Sequence, residues 1–328
     1  MSEPSGDDTE RRRGTLFGGA AYLLWGIFPL YFHQLLPAGA LEILAHRVLW
    51  SVLVCLVLVA VLRQTNWVRP LLADPRQLLR LALAAAVIAV NWGVYIYGVN
   101  SGQVVEASLG YFINPLVTVL LGVLLLRERL RTLQWTAVGL GAIAVVVLTI
   151  DYGHVPVIAL LLAGSFATYG LMKKRIGTDL GALGSLTAET ALLFPFAVGA
   201  LVWLEVTGRG TMTEQPPWHG LLLASTGIAT AVPLLMFAAA ARRVPLTTIG
   251  LLQFTTPVLQ LLCGVLLLDE QVPPSRWVGF AIVWLALAVL SLDQLRASHR
   301  RSRQPRTSSE TARLARAARP GGPFVRSR

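Results

Sequence analysis

Long apolar runs separated by short polar stretches recur ten times along this chain, each close to 20 residues in length. A helix of roughly 20 apolar residues crosses the ~30 Å hydrocarbon core of a bilayer. The runs predict transmembrane helices near 15–33, 41–62, 80–98, 104–126, 132–150, 155–172, 182–205, 218–240, 246–268 and 274–294. The first run is longer than the core of a signal peptide, and no small-residue cleavage site follows it before Gln34, so it is read as a retained helix. Short connections leave room for no catalytic domain outside the membrane. The expected fold class is therefore an all-α integral membrane protein. Residues 1–14 form a polar N-terminal segment, and the Arg/Ser-rich stretch 296–328 is expected to be a disordered tail.

Composition agrees with this pattern. Hydrophobic residues make up 55% of the 328 positions and charged residues 14%, with a mean hydropathy of +0.62. Soluble domains carry about 25% charged residues. The 28 Lys and Arg against 17 Asp and Glu leave a net charge of +11, which would suit nucleic-acid binding if the charges were clustered on one face. They are not: they fall at the ends of the apolar runs. With the N-terminus inside, 25 of the 28 lie on the cytoplasmic side, leaving Arg47, Arg209 and Arg276 outside. That bias sets orientation and predicts two cytoplasmic termini. Membrane lipid, not nucleic acid, is the expected partner of the basic tail. Cys55 and Cys263 sit mid-run in apolar surroundings and read as small core residues.

A shift of 142 residues lays Leu109–Glu128 (LGYFINPLVTVLLGVLLLRE) on Leu251–Glu270 (LLQFTTPVLQLLCGVLLLDE), with ten of twenty positions identical. Leu matches are cheap, but Phe112/Phe254, Pro115/Pro257, Gly122/Gly264, Glu128/Glu270 and then Trp135/Trp277 keep one register. Two repeats follow, 15–150 and 151–295. Five helices is an odd number, so the second repeat enters the membrane inverted. The loop RERLR (Arg127–Arg131) and its mate DEQVPPS (Asp269–Ser275), which has no Lys or Arg, agree with opposite faces.

Ionisable groups inside hydrocarbon cost several kcal/mol and raise a functional question. The second run carries Glu42, His46 and Arg47; Glu42 and His46 are one helical turn apart and share a face. One reading has Glu42 and Arg47 anchoring the helix at the headgroups; the other has them lining a cavity. Glu189 stands at the register of Arg47 under the repeat shift, as a proton carrier, a counter-charge for Arg47 or a site for a cationic ligand. Together Glu42, His46, Arg47 and Glu189 are the candidate proton or charge relay. Asn91 and Tyr95 are one turn apart, with Asn100 at the run's end; Tyr111 and Asn114 precede Pro115, and Gln253 and Thr256 precede Pro257. Asn91, Tyr95, Tyr111, Asn114 and Gln253 are the expected cavity lining for a small polar or amphipathic ligand. Proline removes a backbone donor and loosens a helix, so Pro115, Pro233 and Pro257 are candidate hinges. Trp25-Gly26 and Tyr169-Gly170 form another pair of mates that allows bending. No nucleotide loop, metal-ligand spacing or nucleophile motif occurs, so no catalytic residue, cofactor or metal is expected.

Several stretches together resemble one family. AYLLWGIFPLYF (Ala21–Phe32), EILAHRVLWS (Glu42–Ser51), NWGVYIYGVN (Asn91–Asn100), EASLGYFINPL (Glu106–Leu116), Lys173-Lys174, Glu189-Thr190 and AVPLLMFAAAARR (Ala231–Arg243) are similar to RarD-type members of the EamA branch of the drug/metabolite transporter superfamily. QFTTP (Gln253–Pro257) stands where the family pattern has Tyr and Gly before the proline, and the Arg-rich tail is not a family feature. The resemblance covers residues 15–294. It implies ten helices in two inverted five-helix repeats. It also implies a secondary transporter, exporter or permease of a small metabolite or drug in a bacterial inner membrane, working by alternating access with protons as the candidate coupling ion. The competing class is a non-transporting membrane sensor or assembly scaffold, in which the buried polar groups are structural. Solute flux separates the two.

Overall fold

The protein is described by a computed structural model covering residues 6–127, 130–176 and 180–303. Glu128 of the RERLR loop and the tail from residue 304 lie outside the described residues. The helices are α1 (Gly6–Gly26), α2 (Phe28–His33), α3 (Ala40–Val61), α4 (Val68–Ala73), α5 (Pro75–Asn100), α6 (Val104–Leu126) and α7 (Thr132–Tyr152). They continue with α8 (Val157–Ile176), α9 (Gly181–Val206), α10 (Pro217–Ala241), α11 (Leu246–Leu252), α12 (Thr255–Leu262), a π-helical turn at Cys263–Leu267, and α13 (Pro274–Arg303). Ten helical spans among the described residues are long and apolar enough to cross a membrane. The chain is thus an all-α, multi-pass membrane protein. Aliphatic side chains such as Val206, Ile150 and Leu221 stand exposed on its outside, where lipid rather than water is the matching solvent.

Two ends differ from expectation. The first helix starts at Gly6, not near 15, because its polar first turns are held: Glu10 pairs with Arg13 one turn on and with Arg243 beyond α10. The last helix runs on past 294 to Arg303, into the stretch expected to be disordered.

The first span is not continuous. Pro29 has no N–H to give the Trp25 carbonyl four residues back, so the α-helical ladder fails and the chain breaks at Ile27. Side chains of α12 and of the π-helical turn meet carbonyls at and just before this break. Thr256 Oγ1 donates to Tyr22 O (2.9 Å), Gln260 Nε2 to Trp25 O (3.1 Å), and Cys263 Sγ contacts Gly26 O (3.8 Å). The spacing of Thr256, Gln260 and Cys263 puts all three on one helix face. A Cβ on Gly26 would meet Leu259 at 2.6 Å, so only glycine lets the two helices approach this closely.

The ninth span breaks as well, at Gln253–Phe254, where Pro257 cannot donate to the Gln253 carbonyl. Pro115 and Pro233 sit inside uninterrupted helices, α6 and α10. Of the three expected hinges, only Pro257 lies beside a break. Tyr169-Gly170 also lies within an unbroken α8, unlike its mate at Gly26.

Helix packing closes a ring. Neighbours run α8, α6, α12, α1, α10, α3, α9, α5 and back to α8, while α7 and α13 pair with each other outside it against α6. Exchanging each span of the first half with its counterpart in the second maps this ring onto itself and leaves the α7–α13 pair unchanged. Two carboxylates fasten the ring. Glu106 of α6 accepts from the first amides of α8, Ile158 N at 2.9 Å and Ala159 N at 3.4 Å. Glu270 accepts from Val104 N and from Val105 N (2.8 Å) at the start of α6. Negative charge at a helix N-terminus satisfies otherwise unpaired donors. Burial pushes the Glu270 carboxyl above the usual carboxylate range, against the pull of those two amides and of Arg276.

Candidate functional site

Arg47 of α3 is the most unusual side chain inside the ring. Only 5% of its surface is exposed, so it does not anchor the helix at the headgroups. Its Nε donates to Thr230 Oγ1 of α10 at 2.9 Å. The guanidinium carbon lies 4.2 Å from the ring centre of Trp92, 5.7 Å from Phe32 and 5.9 Å from Phe28. The break after Gly26 is what places Phe28 and Phe32 here, since α2 starts a new helix beside α5. Stacking on aromatic faces compensates a desolvated cation in part. No carboxylate pairs with it among the described residues.

An aromatic file leads away from Arg47. Phe32 meets Tyr95 edge to face at 5.9 Å, Tyr95 meets Tyr111 at 5.8 Å, Tyr111 meets Phe166 at 6.2 Å, and Phe166 meets Tyr169 at 6.4 Å. Asn91 borders the file. Its Nδ2 donates to Leu162 O (3.1 Å) and Ser165 Oγ (2.9 Å), and its Oδ1 lies 3.5 Å from the Tyr111 hydroxyl. The Tyr95 hydroxyl is buried with no hydrogen-bond partner among the described residues. The structure thus brings Asn91, Tyr95 and Tyr111 together.

Asn114 and Gln253 do not join them. Asn114 turns to Thr118 one turn on, its Oδ1 3.5 Å from that hydroxyl, a local partner for its amide. Gln253 is half-buried at the break between α11 and α12, and its side chain has no hydrogen-bond partner among the described residues. Asn100 serves structure: its Nδ2 donates to Ala38 O at 3.0 Å.

The far end of the file is charged. Glu189 Oε2 accepts from the Tyr169 hydroxyl at 2.9 Å, and Oε1 from Lys173 Nζ at 2.6 Å and Ser185 Oγ at 3.2 Å. Lys173 also bonds Ser185 and lies 5.7 Å from the Tyr169 ring. The counter-charge of Glu189 is thus Lys173, not Arg47. Lys173 reaches Glu189 from α8, whereas Arg47 bonds Thr230 of α10.

Glu42 and His46 also part company. Glu42 Oε1 accepts from Thr211 N (2.7 Å) and Thr211 Oγ1 (3.1 Å) in the loop after α9. The Thr211 hydroxyl in turn touches His219 Nε2 at 2.8 Å, while His46 Nδ1 accepts from Trp50 Nε1 at 3.3 Å. Glu42 Oε2 and His219 Nδ1 are buried without partners among the described residues. Although one turn apart on α3, Glu42 and His46 do not bond each other: Glu42 joins a Glu42–Thr211–His219 chain and His46 pairs with Trp50. Sequence reading missed His219, Lys173 and the aromatics Phe32, Trp92 and Phe166. Pro29, three residues after Gly26, was the available signal for the bend that brings Phe32 inward.

Two segments, residues 12–150 and 155–292, each match the EamA-like transporter family. A protein called RarD from Streptomyces exfoliatus is 54% identical over 293 residues, 89% of this chain and 92% of that protein. An uncharacterized transporter of Pseudomonas aeruginosa is 44% identical over 297 residues, 90% of this chain and 98% of its own. A protein of known crystal structure aligns over 86% of this chain and 98% of its own with a TM-score of 0.54 at 18% identity, a likeness of fold alone.

Proposed function

The chain belongs to the EamA-like transporter family, and from that premise we propose that it is a secondary carrier of a small metabolite or drug, working by alternating access in a bacterial inner membrane. The observation that carries this reading is the file from Arg47 through Tyr95 and Tyr111 to Glu189. It draws on helices from both halves of a ring that is unchanged by exchanging those halves. Two matched repeats supply two alternative gates around a shared path. Both termini are cytoplasmic, on the distribution of Lys and Arg.

In this reading the Glu189–Lys173–Tyr169 cluster is the cytoplasmic gate. A buried ion pair holds while both partners are charged, and neutralising one leaves the other without compensation. Protonation of Glu189 would release Lys173, which keeps 28% of its side chain exposed and has water to turn to. That couples opening to a proton, and an outward pH gradient would then drive exchange.

Reconstitution in liposomes tests both levels. With a panel of labelled metabolites and drugs, pH-gradient-driven uptake is expected in the unaltered protein, and Glu189→Gln is expected to abolish it while passive exchange survives. Unchanged gradient-driven uptake in Glu189→Gln would end the proton role. No flux of any solute across the panel would favour the sensor or scaffold reading.

A further inference from the structure

Arg47 carries an unmatched charge, and what would match it defines a ligand. Glu189 is engaged by Lys173, Tyr169 and Ser185, and Glu42 by Thr211, so neither acidic group of the site neutralises the guanidinium. Only Nε is used, toward Thr230. The two terminal nitrogens make no hydrogen bond among the described residues, so the fork of the guanidinium is left without an acceptor. A guanidinium presents its terminal donors as a flat fork that fits the two oxygens of a carboxylate.

The surroundings narrow the class further. Trp92, Phe28 and Phe32 wall the cation with aromatic faces, and the rings of Tyr31 and Tyr95 pack on Phe32 at 5.5 and 5.9 Å. Tyr31 is satisfied by Ser225 Oγ (2.7 Å) and Leu222 O (3.2 Å). Tyr95 is not: its buried hydroxyl has a donor to give and no acceptor among the described residues. A cation with a free fork, an unsatisfied phenol one ring away across Phe32 and aromatic walls between them would hold one acidic group on a flat apolar body.

We propose that Arg47 and Tyr95 form the anion-recognition site of the carrier, and that its solute is a small carboxylate with an aromatic or similarly flat apolar body. This rests on the transporter reading above and specifies the solute class.

The test uses the full-length protein in detergent and three probes of nearly equal shape: phenylacetate, phenylacetamide and 2-phenylethylammonium. Thermal unfolding is expected to shift upward, saturably, with phenylacetate and not with the amide or the ammonium ion. Arg47→Gln is expected to weaken phenylacetate binding by roughly tenfold or more, with Arg47→Lys retaining part of it as a point charge and Tyr95→Phe weakening it less. The comparison among the three probes stands on the unaltered protein, whether or not the Arg47 variants fold. An equal shift from the amide or the ammonium ion, or no shift from phenylacetate, would overturn the proposal. Counterflow in liposomes separates it from the carrier reading. Carboxylate-selective binding without any flux would leave the site standing and end the carrier. Flux of a neutral or cationic solute that phenylacetate fails to inhibit would do the reverse.

Discussion

Arg47 and Glu189 occupy one register in the two repeats, 142 residues apart, and reach stability by different chemistry. The carboxylate has an ammonium at 2.6 Å and a phenol at 2.9 Å, whereas the guanidinium relies on one threonine and three aromatic faces. The polar position recurs in both halves of the chain while its partners differ. That both positions are polar inside apolar helices was legible in the sequence; which groups face them was not, because Lys173 and Trp92 approach from other helices. Glu106 makes the same point. It reads as one more acidic residue near a helix start, yet it is buried and accepts from the amides of Ile158 and Ala159, 52 and 53 residues away. Removing such a cap leaves buried N–H groups unpaired. Glu106→Ala is expected to destabilise the protein by about 1–2 kcal/mol, and Glu106→Gln by less, since an amide oxygen still accepts. Urea or thermal unfolding in detergent checks the order; equal losses for both variants would mean that charge, not acceptance, matters.

The first span is interrupted where proline withholds a donor and a neighbour supplies one. The α1–α2 break is stable because Gln260 reaches the Trp25 carbonyl that Pro29 leaves bare. Pro115 and Pro233 face the same loss of a donor without breaking their helices. Proline alone therefore does not locate a hinge. The expectation that follows is a coupled pair. Gln260→Leu strands a buried carbonyl and is expected to cost about 1–3 kcal/mol. Adding Pro29→Ala restores a backbone N–H at the right place and is expected to recover much of that cost. A double-mutant cycle by thermal unfolding reads the coupling, and additive losses would show that the two residues do not share the Trp25 carbonyl.

For the whole molecule, the contact order of the ring carries the repeat symmetry that one 20-residue match only suggested. Each neighbour in the ring has its exchanged counterpart, from α6 beside α8 to α12 beside α1. If the second half is inverted, Thr132 at the start of α7 and Gln271 before α13, both exposed, lie on opposite faces of the membrane. Single cysteines at these positions, in a background with buried Cys55 and Cys263 replaced by serine, are expected to react differently with an impermeant thiol reagent in intact cells. Gln271→Cys should label from outside and Thr132→Cys only after permeabilisation. Equal labelling of both would refute the inversion.

Hydrophobic period and charge placement determined the span count, the all-helical class and the approximate span boundaries, because crossing hydrocarbon demands a run of apolar residues of known length whatever its neighbours are. The repeat and the polar positions Asn91, Tyr95, Tyr111, Arg47 and Glu189 were legible for the same reason: each is an exception to a strong local rule. Pairing was not. Glu42 with Thr211, Glu189 with Lys173 and Glu270 with the start of α6 join residues up to 169 positions apart. Only the closed ring brings them within hydrogen-bond reach, since a single helix sets which face a side chain occupies and its neighbours set what that face meets.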